Sequence, residues 1–171
     1  MKNINEKYIG LIPAAGHATR LKLNSGSKEI YPIAFEGGNG EKVTYPVCKC
    51  LLDIFSGAGV KNVCVITRKE KKDIEKILSS GKEYAVSLDY LYCKDTYGPP
   101  YTLDQAYKIV KDKYFVALGF PDILIKPKSA LTAIIQKQEE TEADVVLALF
   151  ETDTPKKWIW LCLMLMGKFM I

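Results

Sequence analysis

A β-strand that runs directly into a loop of small residues and cations is the feature that most constrains this chain. The strand is the apolar run Tyr8–Ile12, and the loop continues to Lys28. Small side chains allow backbone N–H groups to close around an anion, and arginine and lysine supply charge for phosphate oxygens. The sequence therefore predicts a phosphate-binding turn after the strand, made by Ala14, Ala15, Gly16, Ala18, Thr19, Arg20 and Lys28.

Two other anion-binding loops do not fit this segment. It lacks the Gly-Lys-Ser/Thr ending of a Walker A loop. The residues from Gly16 to Leu21 do not match the Gly-x-Gly-x-x-Gly of dinucleotide-binding folds either. An ordinary strand-to-loop turn, in which Arg20 and Lys28 are solvated, remains the alternative.

Strand-like and helix-like segments alternate along the rest of the chain. Apolar, β-branched runs predict strands at Asn62–Thr67, Ser87–Tyr92, Tyr114–Leu118 and Asp144–Phe150. Helical patterns lie at Pro46–Phe55, Lys71–Leu78, Leu103–Val110 and from Ser129 to Glu140, and the glycine-rich Phe35–Lys42 predicts a hairpin turn. Strands that are apolar on both faces and alternate with helices predict one α/β domain, with a mainly parallel sheet flanked by helices.

Side-chain positions within two of these helices follow from their spacing. In Lys71–Leu78, the apolar residues Ile74, Ile77 and Leu78 are expected to face inward. Lys49 and Asp53 are four residues apart and predict an exposed ion pair.

Polar residues follow three of the predicted strands, where an open parallel sheet binds its ligands. They lie in the Gly16–Lys28 loop, in Thr96–Ala106 and in Gly119–Asp122. Asp122 is a candidate Mg²⁺ ligand, because this cation is held by one or two carboxylates together with substrate phosphates; the alternative is that it caps a turn after Pro121. Thr102 and Gln105 can hydrogen-bond a base or a sugar hydroxyl, unless Thr102 is a helix N-cap, with Asp104 and Gln105 in the first helical turn.

The composition indicates a water-soluble domain with no nucleic-acid or membrane partner. Hydrophobic residues make up 48% and charged residues 26% of the chain, and the net charge of +4 is spread along it. Five cysteines without a secretory signal peptide indicate a cytoplasmic protein, and their spacing does not suit a zinc site. We expect buried or half-buried free thiols. The basic cluster Lys69–Lys72 is expected to be the solvated start of a helix.

The loop also resembles the signature of the sugar-phosphate nucleotidyltransferases, the nucleoside-diphosphate-sugar pyrophosphorylases. That signature is a strand, then Ala-Ala-Gly-x-Gly-Thr-Arg, a short loop, and Pro-Lys before apolar residues and proline. This chain has Ala18 in place of the second glycine and Ser27 in place of the proline before Lys28. The spelling Ser-Lys-Glu-Ile-Tyr-Pro is similar to the branch of glucose-1-phosphate thymidylyl- and uridylyltransferases. The resemblance covers about Tyr8 to Trp158 and implies the Rossmann-like fold of that family.

The resemblance also implies an activity and a set of roles. The chain would transfer a nucleotidyl group from dTTP or UTP to a sugar 1-phosphate, release pyrophosphate and use Mg²⁺. The amides of Ala15–Thr19 would hold the nucleotide, Arg20 the leaving pyrophosphate, Lys28 the α-phosphate and Asp122 the metal. The family's Gly-Leu-Ala or Gly-Thr-Ala segment for the base and sugar phosphate has no counterpart in Thr96–Ala106, so the nucleotide and sugar stay open. Homo-oligomerisation also stays open.

Two alternatives belong to other classes of protein. The family uses a later lysine in Glu-Lys-Pro and a later aspartate as second metal ligand, neither of which occurs in these 171 residues. A non-catalytic nucleotide-binding remnant or regulatory module is therefore the main alternative. A nucleotide-sugar-dependent glycosyltransferase would need an Asp-x-Asp motif, and Asp122-Ile123-Leu124 does not provide one.

The last residues form a segment unlike the rest. We expect residues 1–158 to be a partial nucleotidyltransferase domain and 159–171 to be an aberrant apolar tail, too short at Ile159–Met166 to span a bilayer. With suitable codons, one G inserted after the codon of Trp158 converts the tail into Asp-Met-Val-Val-Phe-Asp-Val-Asp-Gly-Lys-Ile-His-Asp, which is typical of a hairpin. This predicts a single-base deletion in the gene or its sequencing; a genuine short strand or a partner-binding helix is the alternative.

Overall fold

The computed structural model describes residues 3–17, 26–36, 40–111 and 115–149, together with the strand at 164–166. Within these residues the strands are β1 (Tyr8–Pro13), β2 (Pro32–Glu36), β3 (Lys42–Pro46), β4 (Asn62–Arg68), β5 (Ser87–Cys93), β6 (Phe115–Leu118), β7 (Val145–Leu147) and β8 (Met164–Met166). The helices are α1 (Ile4–Lys7), α2 (Lys49–Gly57), α3 (Lys72–Leu78), α4 (Pro99–Asp104), α5 (Tyr107–Val110) and α6 (Ala130–Thr141), and 3₁₀ turns lie at Lys28–Ile30 and Lys82–Tyr84.

The main sheet has the strand order β5-β4-β1-β6-β8-β7. Its first four strands are mutually parallel, since β1 pairs in parallel with both β4 and β6, and β4 pairs in parallel with β5. β8 lies between β6 and β7 and is antiparallel to both. The predicted α/β fold with a mainly parallel, Rossmann-like sheet is confirmed.

Both faces of the sheet are buried, which explains the apolar strands. On one face, Tyr8, Ile12 and Val65 belong to the core cluster that also contains the buried residues of α2, α3 and α6. On the other, Ile9 and Leu11 pack in a second cluster with residues of α4 and α5. Neighbouring residues of β1 thus point to opposite faces, as strand geometry requires.

A glycine fixes the distance between the sheet and α2 at the end of β6. A Cβ added to Gly119 would lie 2.4 Å from Cδ1 of Leu51, which is fully buried in α2. The absence of a side chain therefore lets α2 pack directly against the point at which the chain leaves the sheet. Asp122 follows three residues later.

Four cysteines fall within the described residues and match the expected free thiols. Cys48, Cys64 and Cys93 are buried, and Cys50 is partly buried. Burial raises the pKa of the Cys48 and Cys64 thiols to about 12. These groups are therefore protonated and unreactive at neutral pH.

Several predicted elements differ from the structure. Pro46 does not open a helix, because residues 42–46 pair with 32–36 in an antiparallel hairpin and α2 begins at Lys49. The hairpin itself agrees with the predicted turn, whose residues 37–39 lie outside the described residues. The helix expected at Leu103–Val110 consists of two short helices, α4 and α5, and α4 begins at Pro99.

The remaining differences concern strand ends and single side chains. Ile77 is 47% exposed, so the prediction that it faces inward is wrong, whereas Ile74 and Leu78 are buried. The predicted Lys49–Asp53 pair is present at 2.7 Å, but it is partly buried and not exposed as expected. The strand expected at Asp144–Phe150 covers Val145–Leu147, and Phe150 lies outside the described residues, as does Tyr114.

No helix in the described part of the chain has both the length and the apolar character needed to cross a membrane.

Candidate functional site

An ion pair joins two of the predicted site residues at the carboxyl edge of the sheet. Lys28 begins the 3₁₀ turn Lys28–Ile30, and Asp122 lies in the turn that follows β6. The Nζ of Lys28 lies 2.6 Å from Oδ2 of Asp122, and the two side chains are 27% and 37% exposed. A cation and a carboxylate that are far apart in the sequence are thus adjacent and accessible to a ligand.

The first residues of the predicted phosphate loop follow directly after β1 and stay in contact with the sheet. Ala14 and Ala15 are buried, and the amide of Ala14 donates to the carbonyl of Ile66 at 2.7 Å. Gly16 and His17 are exposed. Ala18, Thr19 and Arg20 lie outside the described residues, so their predicted contacts with a nucleotide stay predictions.

A buried ion pair that sequence reasoning missed lies behind this loop. Lys71 Nζ lies 2.8 Å from both carboxylate oxygens of Glu29, and the two side chains are 9% and 2% exposed. The same ammonium donates to the carbonyls of Ala14 at 2.8 Å and Gly16 at 3.1 Å. The interpretation of Lys69–Lys72 as wholly solvated is therefore wrong for Lys71.

Asp73 makes a second connection to the far end of the loop. Its carboxylate accepts from the amide of Ser27 at 2.7 Å and from the Ser27 hydroxyl at 2.9 Å. Ser27 directly precedes the Lys28–Ile30 turn, which is thereby held beside α3. The position of Lys28 next to Asp122 thus depends on contacts made by α3 as well as on the loop itself.

The second predicted patch, Thr96–Ala106, offers one partly exposed candidate. Thr102 is 3% exposed inside α4, and its hydroxyl lies 3.1 Å from the carbonyl of Gly98 and 2.7 Å from Oγ1 of Thr96. Gly98, not Thr102, occupies the N-cap of α4, so the N-cap interpretation is wrong. Gln105 follows α4 and is partly exposed, with Nε2 3.5 Å from the carbonyl of Tyr101.

The donor set at Asp122 suits Mg²⁺ bound together with a substrate. In the described part of the chain, no group of three or more histidine, cysteine or acidic side chains is arranged to hold a metal ion. A protein-only metal cage is therefore not formed by those residues. One accessible carboxylate is the kind of ligand that binds Mg²⁺ already carried by phosphates.

The fold and this edge define an α/β protein of the Rossmann-like class whose ligand site lies beyond the carboxyl ends of parallel strands. The nucleotidyl transferase family profile matches residues 9–158. The chain therefore belongs to the nucleotidyl transferase family, in agreement with the resemblance carried by the loop.

Individual relatives show the same relationship at low sequence identity. The chain is 23% identical over 152 residues to the low-salt glycan biosynthesis nucleotidyltransferase of Haloferax volcanii, and the match covers 87% of this chain and 39% of that protein. It thus spans less than half the length of this curated relative.

Two solved structures share the fold. One is a Bacillus anthracis protein described as a glucose-1-phosphate thymidylyltransferase and crystallised with sucrose (TM-score 0.73, 20% identity, 87% of this chain and 57% of that one). The other is a UDP-glucose pyrophosphorylase in complex with UDP-glucose (TM-score 0.69, 17% identity, 88% of this chain and 60% of that one).

Proposed function

We propose that this chain binds a nucleoside triphosphate with Mg²⁺ at the carboxyl edge of its sheet and transfers the nucleotidyl group to a sugar 1-phosphate. The proposed nucleotide is dTTP or UTP. The observation that carries the proposal is the Lys28–Asp122 pair, which brings a cation and a carboxylate together beside the loop that follows β1. Family membership and the named relatives support the same class of reaction.

The reaction needs positioning and charge neutralisation, with no covalent intermediate on the protein. A phosphate oxygen of the sugar 1-phosphate attacks the α-phosphorus of the nucleotide, and the bond from that phosphorus to the bridging oxygen of the β-phosphate breaks. Pyrophosphate leaves with the bonding electrons. Preorganised cations and N–H donors aimed at the phosphates lower the barrier of such a step.

Each site residue has a proposed part in this step. Lys28 neutralises charge at the α-phosphate, Arg20 holds the leaving pyrophosphate, and the amides from Ala15 to Thr19 hold the triphosphate. Gln105, which is partly exposed, is the candidate for a contact with the base or the sugar. Asp122 would hold Mg²⁺, which when bound neutralises phosphate charge.

The ion pair is suited to opening when a ligand arrives. A partly exposed pair contributes only about 0–1 kcal/mol to stability, because solvent screens it. Lys28 can therefore exchange Asp122 for a phosphate oxygen at small cost, while Asp122 becomes free to bind a cation. Lys28 and Asp122 neutralise each other without a ligand. In a metal–nucleotide complex, the phosphate would pair with Lys28 and the metal ion with Asp122.

A non-catalytic nucleotide-binding module is the second candidate. It is favoured by one observation, namely that the Lys28–Asp122 pair supplies one cation and one carboxylate, which match a metal–nucleotide complex alone. Binding of a nucleotide requires the loop and the Lys28–Asp122 pair, whereas turnover also requires groups that hold the sugar phosphate.

The two candidates are separated by an assay of pyrophosphate release. The full chain is incubated with Mg²⁺, each of four nucleoside triphosphates including dTTP and UTP, and several sugar 1-phosphates. Release that requires both substrates and is lost in Lys28→Ala supports the enzyme; Lys49→Ala, which breaks a similar pair on α2, should keep the activity. Binding of dTTP or UTP by calorimetry without turnover supports the module, and absence of both contradicts the proposed site.

A further inference from the structure

Lys71 occupies an unusual position for a lysine close to a predicted phosphate loop. Its ammonium has three N–H donors, and four oxygen atoms lie within 3.1 Å of it, two from Glu29 and one each from Ala14 and Gly16. The donors are thus fully engaged inside the protein. Its charge is balanced by Glu29, which is 2% exposed. Lys71 is therefore poorly placed to bind a phosphate directly.

We propose that Lys71 is a positioning residue, which orients the backbone N–H groups of Ala15 and His17 toward a bound phosphate. The proposal rests on the proposed nucleotide site, to which it adds the device that shapes the loop. Neither Glu29 nor Lys71 is assigned a direct contact with the nucleotide.

Peptide geometry connects Lys71 to the two amides. A trans peptide is planar, so the carbonyl of one residue and the N–H of the next point in opposite directions. Lys71 draws the carbonyls of Ala14 and Gly16 to its own side of the loop. The N–H groups of Ala15 and His17 consequently point to the opposite side, and neither donates a hydrogen bond to another described residue. Two N–H groups directed to one side are the arrangement that binds an anion.

The ion pair also holds the two ends of the loop together. Glu29 lies 42 residues from Lys71 in the sequence and beyond the far end of the loop, next to Lys28. The same ammonium thus contacts the beginning of the loop through Ala14 and Gly16, and its end through Glu29. The buried ammonium thus helps to fix the amides relative to Lys28, together with the contacts of Asp73 to Ser27.

The test removes the carbonyl contacts without leaving a buried charge. In Lys71→Met/Glu29→Leu, both charges disappear and the side-chain volumes change little, a replacement that folded proteins often tolerate. The control is Lys49→Met/Asp53→Leu, which removes an ion pair of 2.7 Å within α2. A third variant, Glu29→Gln, keeps the ammonium and both carbonyl acceptors.

Three measurements are made on the full chain. They are the free energy of unfolding in urea, the NMR ¹H–¹⁵N chemical shifts of the Ala15 and His17 amides without ligand, and the Kd for UTP, dTTP and inorganic tripolyphosphate with Mg²⁺. We expect the double variant to have a free energy of unfolding similar to that of the control and to change the ¹⁵N chemical shifts of both amides. Its Kd for each ligand should rise roughly tenfold to hundredfold, as the loss of well-placed donors to a charged group predicts. Glu29→Gln should keep both amide shifts, because its Oε1 can still accept from Lys71, and it should lose less affinity than the double variant.

Other results overturn the inference. Unchanged amide shifts in the double variant, or an equal loss of affinity in Glu29→Gln, would show that Lys71 serves only the packing of the loop. If the double variant does not fold, the wild-type protein is titrated with tripolyphosphate instead. Binding that leaves the chemical shifts of the Ala15 and His17 amides unchanged contradicts the proposal. If the wild type binds none of the three ligands, the proposed function fails, while the ligand-free amide shifts still decide the positioning role.

Discussion

At the scale of single residues, the Lys28–Asp122 pair sets the charge of the site. Lys28 and Asp122 neutralise each other at 2.6 Å, and in the proposed binding mode the nucleotide takes Lys28 and the metal ion takes Asp122. Binding of a metal–nucleotide complex and separation of the pair are therefore coupled events. Changing either partner alters the preference of the site for metal-free or metal-bound ligand.

Asp122→Asn should reduce the dependence of nucleotide binding on Mg²⁺, because the amide keeps the shape of the side chain but loses the charge. Binding without metal should persist or become tighter, since Lys28 is released from its partner. Calorimetric titrations of UTP and dTTP with and without Mg²⁺ measure both effects. Asp53→Asn is the control, because Asp53 also pairs with a lysine at 2.7 Å. An unchanged Mg²⁺ dependence would mean that Asp122 is only a turn residue.

Arg20→Ala and Lys28→Ala should each weaken nucleotide binding by roughly 1.5–3 kcal/mol, the range for hydrogen bonds to charged groups. Lys28→Ala should also lower the free energy of unfolding by no more than about 1 kcal/mol, because the pair that it breaks is partly exposed. Calorimetry and urea unfolding give the two quantities separately. Unchanged affinity in both variants would remove these residues from the site.

The described cysteines should differ in reactivity according to their burial. Burial holds the pKa of Cys48 and Cys64 at about 12, so their thiols remain protonated and protected at pH 8. Cys93 is also buried, and Cys50 is the more accessible of the four. Iodoacetamide labelling followed by mass spectrometry should therefore find Cys50 modified before the other three. Rapid labelling of Cys64 in folded protein would contradict the packing of β4.

The residues of the candidate site could be predicted from sequence only where a short local segment, such as a strand followed by a loop, indicates their role. Lys28 and Asp122 follow recognisable strand-to-loop patterns, and parallel strands deliver both to one edge. Glu29 and Lys71 gave no such signal, because the partner of each lies 42 residues away and only the fold brings the two together. A lysine inside a run of charged residues normally indicates a solvated surface, and burial of one member cannot be inferred from that run.

At the scale of secondary-structure elements, the junction of β6 and α2 controls where Asp122 lies. Gly119→Ala would place a methyl group 2.4 Å from Leu51, a fully buried side chain with little room to move. We expect the variant to lose about 1–3 kcal/mol of stability, the usual cost of overpacking. Nucleotide binding should weaken as well, because Asp122 is displaced.

Gly57→Ala is the matched control for this change, because a Cβ at Gly57 meets nothing within 4 Å. Alanine in a helix costs less conformational entropy than glycine, so this variant should be as stable as the wild type or slightly more stable. Urea unfolding of both variants makes the comparison. Equal stability of the two would show that Leu51 can move aside freely.

Elements with a clear pattern were predictable, and those decided by distant pairing were not. The parallel strands β4 and β6 stand out because they are buried and apolar on both faces, whereas β5 has exposed residues at Ser87 and Asp89. Residues 42–46 end in a proline that is followed by a helical pattern, yet they pair with residues 32–36 and form a strand. Thr102 resembles an N-cap by residue type, but two prolines after Gly98 start α4 earlier. Local propensity loses to tertiary pairing at each of these positions.

At the scale of the whole molecule, two hypotheses for residues 159–171 compete: a single-base deletion, and a genuine short strand, with which the pairing of residues 164–166 to β6 and β7 agrees. Resequencing of the locus should find one additional base after the codon of Trp158 if the deletion arose in sequencing. If the deletion lies in the gene, it should find the present bases, with the shifted frame continuing downstream. The physical reason is that the shifted sequence alternates strand and turn residues, whereas the present tail is apolar without period. An intact frame that stops after Ile171, with no overlapping frame downstream, would contradict the deletion.

The place of β8 between β6 and β7 has a consequence for synthesis on the ribosome. A strand pairs only with a neighbour that already exists, and domains begin to fold while the chain is being made. The groups Lys28, Lys71 and Asp122 are all translated before β7, and the strands beneath them, β4, β1 and β6, need no later segment in order to pair. β7 has no partner in the sheet until residues 164–166 emerge. The nascent polypeptide can thus form the candidate site at the carboxyl ends of β4, β1 and β6 before β7 and β8 pair at one side of the sheet.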